Sequence, residues 1–329
     1  MKIIVLGGSG FVGRHVCEKL TALGHHVSVP TRNLAQAKSL AMLPGLHLLG
    51  CDVHQPAQLN AAVAGHSVLV NLVAVLHGSE AAFEQVHVQL PRHIVAACHS
   101  AGVQRVVHIS ALGAALDAPS RYLRSKARGE AVLAGSGLPL ALLRPSVVFG
   151  AEDKLLNLFA SLQKLAPIVP LAGADTQFQP VWVEDVAQAV VALATDERYI
   201  NNSFLRFNYM GYDAKTPPNT QIVEACGPQV LRLRDLFAIA GQCVGAKRPI
   251  VPLPMPLARV QAWVMEHLPG QPLMSRDNLD SMQAPSIATG QFPGLAALGI
   301  TPASLHAIAP TYLGAGRTMD KHRKNASIS

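Results

Sequence analysis

The chain has 329 residues, of which 50% are hydrophobic and 14% are charged, so it can bury a sizeable core in one large or two modest domains. Its five cysteines are scattered, odd in number and free of C-x-x-C pairs, which argues against a disulfide framework and a structural zinc site. We therefore predict no metal and a reducing compartment. The formal net charge is +7, but basic residues are not concentrated with the sparse aromatics, and we expect no nucleic-acid partner.

No apolar run reaches the ~20 residues that a membrane-spanning helix needs. The nearest candidate, Leu155 to Ala174, is interrupted by polar residues and prolines. Because a predicted strand starts at Lys2, a signal or transit peptide has no room, and we expect a cytoplasmic protein. The apolar segments 155–174 and 253–268 keep open a peripheral position on the inner face of the membrane, although apolar helical stripes are more often core.

The opening stretch Lys2 to Arg14, KIIVLGGSGFVGR, predicts a dinucleotide site. An apolar run typical of a buried strand is followed at once by a glycine loop, and then by a helical pattern that ends at Gly24. Strand, glycine loop and helix is the context in which such glycines bind a pyrophosphate, with the helix N-terminus facing the phosphates. The G-x-x-G-x-x-G spacing resembles that of extended and atypical short-chain dehydrogenases. The predicted cofactor contacts here are Gly7, Gly10, Phe11, Val12, Gly13 and Arg14.

The end of the second predicted strand indicates which dinucleotide binds. Folds that prefer NAD usually place an acid there to hold the ribose 2′-hydroxyl. This chain has Pro30-Thr31-Arg32-Asn33 instead, and Arg14 lies just past the glycine loop. Two guanidiniums suit a 2′-phosphate, so we predict NADP(H) in preference to NAD(H). The alternative is that both arginines are solvated surface residues.

The rest of the first half alternates strands and helices at short spacing. Predicted helices cover 34–43, 56–64 and 79–101, and predicted strands cover 26–29, 47–49, 67–72 and 105–109. This alternation predicts an α/β fold with a parallel doubly wound sheet, in which ligands bind beyond the carboxyl ends of the strands. Candidates at such ends are Asp52 and Val53, where Asp52 reaches the adenine amino group or caps the next helix, and the small Ala74, beside which the cofactor can pass.

A second motif, SRYLRSKARGE at Ser120 to Glu130, places Tyr122 and Lys126 one turn apart on one helix face. It opens the helix before the sixth strand, 140–143, where short-chain dehydrogenases carry their catalytic pair. A phenol is a poor base at neutral pH, and we expect the ammonium and the nicotinamide to depress its pKa. The lysine can also hold the nicotinamide ribose. The alternative is an exposed helix with ordinary surface residues.

The third catalytic member, a serine or threonine that holds the substrate oxygen, is missing where extended members of the superfamily place it. That position is Leu112, in the run Ser110-Ala111-Leu112. We predict Ser110 in this role, with Ser120 and Ser125 as weaker candidates. After the sixth strand, Pro145 resembles the proline whose backbone meets the nicotinamide carboxamide, although it also ends the strand.

We predict a cofactor domain over 1–150, to which a helix at 180–196 returns. The segments 151–179 and 197–313 form a smaller mixed substrate lobe, with helices predicted at 152–165, 233–244 and 257–268, and a strand at 222–225. Residues 201–218 read as an insertion loop, and 314–329 read as a basic, mobile tail.

Four segments together resemble the atypical short-chain dehydrogenases, closest to the nucleotide-binding accessory subunit of respiratory complex I and its stand-alone bacterial relatives. They are GGSGFVGR from Gly7, SRYLRSKARGE from Ser120, RPSVVFGAEDKLLNLFAS from Arg144 and LPGQPLMSRDNLDSM from Leu268. The resemblance implies a tightly held NADP(H). It also leads us to expect attachment near a membrane or respiratory complex, and quinone chemistry. It does not imply a known catalytic reaction. Three functions stay open: an NADP-dependent oxidoreductase, a non-catalytic structural or assembly factor, and an enzyme like the sugar-nucleotide epimerases and dehydratases.

Overall fold

Alternation of side chains along buried strands determines how the first half of the chain packs. On the first strand, Ile4 and Leu6 join a cluster with apolar residues from three helices, while Ile3 and Val5 are equally inaccessible to solvent and point to the opposite face. A strand that is apolar on both faces needs helices on both sides, as in a parallel sheet. The computed structural model, which describes residues 1–200, 216–267 and 274–314, has this arrangement.

The described chain forms two compact units, of which the first comprises Met1–Pro145, Glu184–Ala225 and Ala288–Thr301. This unit contains a parallel sheet of seven strands, which confirms the predicted doubly wound fold. Its strands in chain order are β1 (Lys2–Leu6), β2 (His26–Thr31), β3 (Leu46–Gly50), β4 (Val68–Asn71), β5 (Arg105–Ile109), β6 (Leu140–Pro145) and an edge strand, Thr220–Ala225. Their order across the sheet is edge strand, β6, β5, β4, β1, β2, β3, so the direction of winding reverses between β1 and β4.

The helices of this unit are α1 (Phe11–Ala22), α2 (Pro56–Val63), α3 (Glu80–Glu84), α4 (Leu90–Ala101) and α5 (Arg121–Ala134), with further helices at Val183–Thr195 and Glu197–Ile200 and a 3₁₀ turn at Leu295–Leu298. The helix that begins at Val183 returns the chain to the sheet. Its Glu184 carboxylate contacts His15 and Lys19 of α1 at 2.6 Å each. This pairing joins the returning helix to the helix that follows the glycine loop.

Two predictions about elements in this unit are wrong, and a third is refined. The predicted helix 34–43 is a single 3₁₀ turn, Lys38–Met42, because Ala37 and Leu40 alone are buried there and give no stripe for a longer helix. The predicted helix 79–101 is confirmed as unbroken helical backbone from Glu80 to Ala101, which contains a π-helical stretch at Gln85–Gln89. The strand Thr220–Ala225, which we placed in the smaller lobe, instead pairs with β6 in the large sheet.

The second unit comprises Ser146–Val183, Cys226–Ile287 and Pro302–Ser329. Its helices are Leu155–Leu165, Leu233–Val244, Met255–Glu266, Arg276–Ser281 and Leu305–Leu313. Its short strands pair two by two: Val148–Phe149 with Val181–Trp182, Val169–Ala172 with Ile250–Leu253, and Gln177–Phe178 with Leu231–Arg232. The core of the unit contains Phe159 and Phe237, whose ring centroids are 5.2 Å apart.

The helix predicted from residue 152 begins at Leu155, because the Asp153 carboxylate accepts the backbone N–H groups of Gly150 and Leu156 and closes a turn before it.

The predicted insertion loop 201–218 and tail 314–329 lie almost entirely outside the described residues. Each of the five cysteines is a free thiol. Within the described ranges, no helix is long and apolar enough to span a bilayer.

Candidate functional site

The glycine loop after β1 is built for close backbone approach. Gly7 has φ +79°, a conformation that favours glycine, and the Gly10 N–H donates to the Gly7 carbonyl at 3.0 Å. A Cβ atom on Gly13 would lie 2.3 Å from the Gly7 carbonyl oxygen, so α1 sits against the loop at a distance that no other residue permits. Gly10 is the N-cap of α1 and has no side chain to cap it, which leaves the first N–H groups of a 12-residue helix for a ligand.

The ends of β2 and β3 border a cleft of about 450 Å³. Its lining residues are Thr31, Arg32, Asn33, Leu34, Gly50, Cys51, Asp52 and Gln58. The exposed Arg32 and the half-exposed Asp52 therefore share one cleft, at the position expected for the adenosine end of a dinucleotide.

Arg14 and Asp52 each bond to neighbouring backbone. Arg14 does not line this cleft; its Nε donates to the Ser9 carbonyl at 3.3 Å, within the glycine loop. The Asp52 carboxylate accepts the His54 N–H at 3.1 Å, while the N-cap of α2 is Gln55. Asp52 therefore orders the turn after β3 and does not cap the helix, which leaves the adenine role as the remaining prediction.

The other predicted cofactor contacts lie at or near strand ends, as expected. Ala74 is exposed in the segment after β4, next to Val73, whose N–H donates to the Asn71 side chain at 3.1 Å. Val53 packs in part against the core cluster. Pro145 is half-buried at the end of β6, and its carbonyl accepts the Leu112 N–H at 2.9 Å.

Tyr122 and Lys126 lie on α5, whose first turn is capped by the Ser120 hydroxyl accepting the Leu123 N–H at 3.2 Å. Lys126 is 1% exposed, and its Nζ donates to the Ile109 carbonyl at 2.7 Å. This bond joins α5 to the end of β5. Tyr122 is half-buried, and its ring meets Phe83 edge-on with centroids 6.2 Å apart.

The electrostatics of this pair differ from our expectation. Burial raises the pKa of Tyr122 to about 12, so the predicted depression of the phenol pKa is wrong for the chain alone. Burial also lowers the pKa of Lys126 to about 8, with the Glu130 carboxylate acting in the opposite direction. Both groups therefore favour their neutral forms more than they would in water. A phenol of this kind holds its proton throughout the neutral range.

Ser110 presents a hydroxyl without a partner. It is 3% exposed, and within the described residues its Oγ makes no hydrogen bond. An unpaired buried hydroxyl is uncommon, because it costs free energy unless a ligand or water satisfies it. Lys126 donates to the carbonyl of Ile109, the residue that directly precedes Ser110. Leu112 is buried and offers no hydroxyl, and both Ser120 and Ser125 use theirs in hydrogen bonds within α5.

Two buried histidines near this pair were not among our predicted site residues. His108, on β5, approaches the Asn71 amide nitrogen at 3.0 Å through Nδ1, and burial holds the pKa of His108 well below its usual range, assisted by Lys126. His87 meets the Tyr122 ring edge-on, with centroids 5.6 Å apart. No spacing in the sequence links either histidine to the Tyr122 helix.

Comparison with known proteins shows the family to which the chain belongs. The sequence profile of a family described as NAD(P)H-binding matches residues 7–197, a span that includes the glycine loop, the Arg32 cleft and the Tyr122 helix. The chain belongs to this NAD(P)H-binding family.

Individual relatives of this NAD(P)H-binding chain fall into two groups. It is 30% identical over 312 residues to NADH dehydrogenase [ubiquinone] 1 alpha subcomplex subunit 9 of Mus musculus, covering 92% of this chain and 76% of that protein. It is 28% identical over 313 residues to 2-alkyl-3-oxoalkanoate reductase of Stenotrophomonas maltophilia, covering 84% and 87% of the two chains. The resemblance drawn from the sequence motifs is thereby confirmed.

A solved structure of UDP-galactose 4-epimerase superposes with a TM-score of 0.67 and covers 97% of this chain and 99% of its own, at 18% identity. At that identity the likeness supports the fold, and it carries no argument about the substrate.

Proposed function

We propose that the chain is an NADPH-dependent carbonyl reductase of the short-chain dehydrogenase type, in which Tyr122 is the acid, Lys126 its electrostatic support and Ser110 the hydroxyl that holds the substrate oxygen. The observation that carries the proposal is the conjunction of three features: Tyr122 and Lys126 one turn apart on α5, the bond from Lys126 to the end of β5, and the buried Ser110 hydroxyl, unpartnered within the described chain. The likeness to a reductase of 3-oxoalkanoates supports a ketone substrate.

The residues present fit the coenzyme. Gly7, Gly10 and Gly13 would hold the pyrophosphate with the N-terminus of α1, and Arg32 would pair with the 2′-phosphate. When bound, NADPH supplies a hydride for the substrate carbonyl carbon. Nothing acidic follows β2 to favour the ribose hydroxyl of NAD.

The chain's own part in the reaction is to deliver a proton. Because burial keeps its phenol protonated, Tyr122 donates its proton to the carbonyl oxygen as that oxygen gains charge, and the product is an alcohol. Ser110 donates a hydrogen bond to the same oxygen. Lys126, one turn further along α5, stabilises the phenolate that remains until a proton returns from solvent.

The test is rapid-mixing measurement of NADPH oxidation with a 2-alkyl-3-oxoalkanoate and with a short-chain quinone. Tyr122→Phe should lower the rate by ~10²–10⁴-fold, as expected for loss of a general acid, while NADPH affinity stays within about threefold. Ser136→Ala, which removes a serine that bonds one turn back at the end of α5, is the matched control and should react like the wild type. Equal rates for the wild type and Tyr122→Phe would contradict the proposal.

A second candidate is a cofactor-binding structural or assembly subunit associated with a respiratory complex near a membrane. Leu112 favours it, since this buried residue stands where a catalytic hydroxyl was expected, and so does the likeness to an NADH dehydrogenase subunit. In that case NADPH would raise the melting temperature through binding to the folded state, with no oxidation in the presence of either substrate. An epimerase-like reaction would instead appear as interconversion of a nucleotide sugar without net NADPH consumption.

A further inference from the structure

His87 lies at the centre of a continuous hydrogen-bond chain between the segment after β4 and the helix that carries Tyr122. Its Nε2 accepts the backbone N–H of Val75 at 3.2 Å, and its Nδ1 contacts the Ser125 Oγ at 2.8 Å. Ser125 in turn donates its hydroxyl proton to the Tyr122 carbonyl at 2.7 Å. The chain therefore runs from Val75 through two buried side chains to the peptide of Tyr122.

These partners determine the form of the imidazole. Because Val75 donates to Nε2, that nitrogen carries no proton, and because Ser125 has used its own proton, Nδ1 must donate to it. His87 is accordingly the neutral Nδ1–H tautomer. Burial, with Lys126 adding to it, lowers the pKa of His87 to about 3, which agrees with this assignment.

The imidazole is also fixed by packing. It stacks on Phe83 with an interplanar angle of 22° and a centroid separation of 5.6 Å, and it also meets the Tyr122 ring edge-on. The backbone is equally constrained, since a Cβ atom on Gly129 of α5 would lie 2.1 Å from the His87 carbonyl oxygen. The π-helical stretch that presents His87 is a geometry found frequently at functional sites.

We propose that His87 is a positioning residue for Tyr122: through Ser125 it ties the Tyr122 peptide to the backbone after β4, and through its ring it limits the rotation of the phenol. This inference rests on the proposed function, because the phenol needs a fixed direction only if it transfers a proton. It assigns no chemical step to the imidazole.

The variants separate positioning from mere stability. His87→Phe keeps the stacked ring but removes both hydrogen bonds, and Ser125→Ala removes the link to Tyr122. His87→Gln keeps an acceptor for Val75 and a donor for Ser125, so it should restore most of the function. Ser136→Ala, just after the same helix, again serves as the control.

The first measurement is the rate of NADPH oxidation. Loss of alignment should lower kcat by about 10- to 100-fold in His87→Phe and Ser125→Ala, with KM within about threefold. The same substitutions made in Tyr122→Phe should have no further effect, because the residue that they position no longer transfers a proton. A loss that persists in the Tyr122→Phe background would show a structural role and overturn the inference.

The second measurement does not depend on turnover, so it distinguishes failure of this inference from failure of the proposed function. Nitration of Tyr122 by tetranitromethane, followed by peptide mass spectrometry, reports how firmly the phenol is held. We expect at least a fivefold faster nitration of Tyr122 in His87→Phe and Ser125→Ala, and near wild-type rates in His87→Gln and Ser136→Ala. Unchanged nitration in the first two variants would overturn the inference.

Discussion

The ammonium of Lys126 donates to the backbone carbonyl of Ile109 at 2.7 Å, and this bond fixes the helix that carries Tyr122 to the end of β5. Ile109 is followed directly by Ser110, so one buried lysine determines the spacing between the phenol helix and the buried serine. A lysine that is 1% exposed is costly to keep charged, which is why its pKa falls to about 8.

The low pKa of Lys126 has a consequence for stability. Between pH 8 and about 10.5 the unfolded lysine binds a proton that the folded one releases, so this group makes the free energy of unfolding rise with pH in that window, by at most about 3 kcal/mol. Below pH 8 its contribution is constant. Lys126→Met should lack this rise. Urea unfolding of the wild type and Lys126→Met from pH 7 to pH 10 measures the difference, and parallel curves would contradict the prediction.

Ser110→Ala should separate stability from activity. Removing a buried hydroxyl for which the described residues offer no partner should leave the free energy of unfolding unchanged or raise it by about 1 kcal/mol. Under the proposed function it should also lower kcat at least tenfold, since the substrate oxygen loses a donor. Chemical denaturation and NADPH oxidation measure the two effects. A destabilised variant with normal kcat would indicate that Ser110 is structural.

Arg32→Ala tests the preference for NADP(H). If the guanidinium at the cleft pairs with the 2′-phosphate, NADPH affinity should fall by about 10- to 100-fold while NADH affinity stays within about twofold. Fluorescence titration with both coenzymes measures this. Arg198→Ala, at an arginine that is exposed and pairs with Asp196, is the control. A wild type that binds NADH more tightly than NADPH would refute the assignment.

Gly13→Ala should disable the glycine loop. Its new Cβ would lie 2.3 Å from the Gly7 carbonyl oxygen and 2.6 Å from the Gly8 Cα, both backbone atoms, so the loop must shift. We expect at least a tenfold loss of NADPH affinity and a loss of about 1–3 kcal/mol in stability. Gly294→Ala, whose Cβ would meet its nearest neighbour at 3.8 Å, should change neither property. Calorimetric titration and thermal unfolding compare the two variants.

The hydrophobic periodicity of the sequence predicted correctly those elements whose apolar residues match the face that is buried. β5 (Arg105–Ile109) and the helix Leu233–Val244 have the bounds expected, because the strand contains the buried pair Val106 and Val107 and the helix has an amphipathic stripe that ends at Gly245. The segment 34–43 has helix-forming residues but little to bury, so tertiary structure overrides its propensity. The edge strand Thr220–Ala225 follows a long stretch of chain, and sequence order gives no indication that it pairs with β6.

The candidate site was predictable to the extent that it depends on local spacing. Tyr122 and Lys126 share a helix, and the glycines share a loop, so their proximity follows from the sequence. His87 and Ser125 are 38 positions apart and meet through packing alone. The direction of the Tyr122 pKa shift also depends on burial, which spacing does not report. The catalytic and cofactor-binding roles of these residues stay predictions.

The π-helical stretch Gln85–Gln89 also has a consequence for how this segment tolerates change in length. A π turn holds one residue more than an α turn, so deleting any one residue from it would leave a sequence able to form an uninterrupted α-helix. Because the wide turn absorbs this extra residue, the shortened helix would keep α3 and α4 facing the neighbours that they face now. The change would be confined to the wide turn, where His87 would be removed or would lose its position opposite Ser125 and the Tyr122 ring. Single-residue length variants here should therefore impair function while the fold survives.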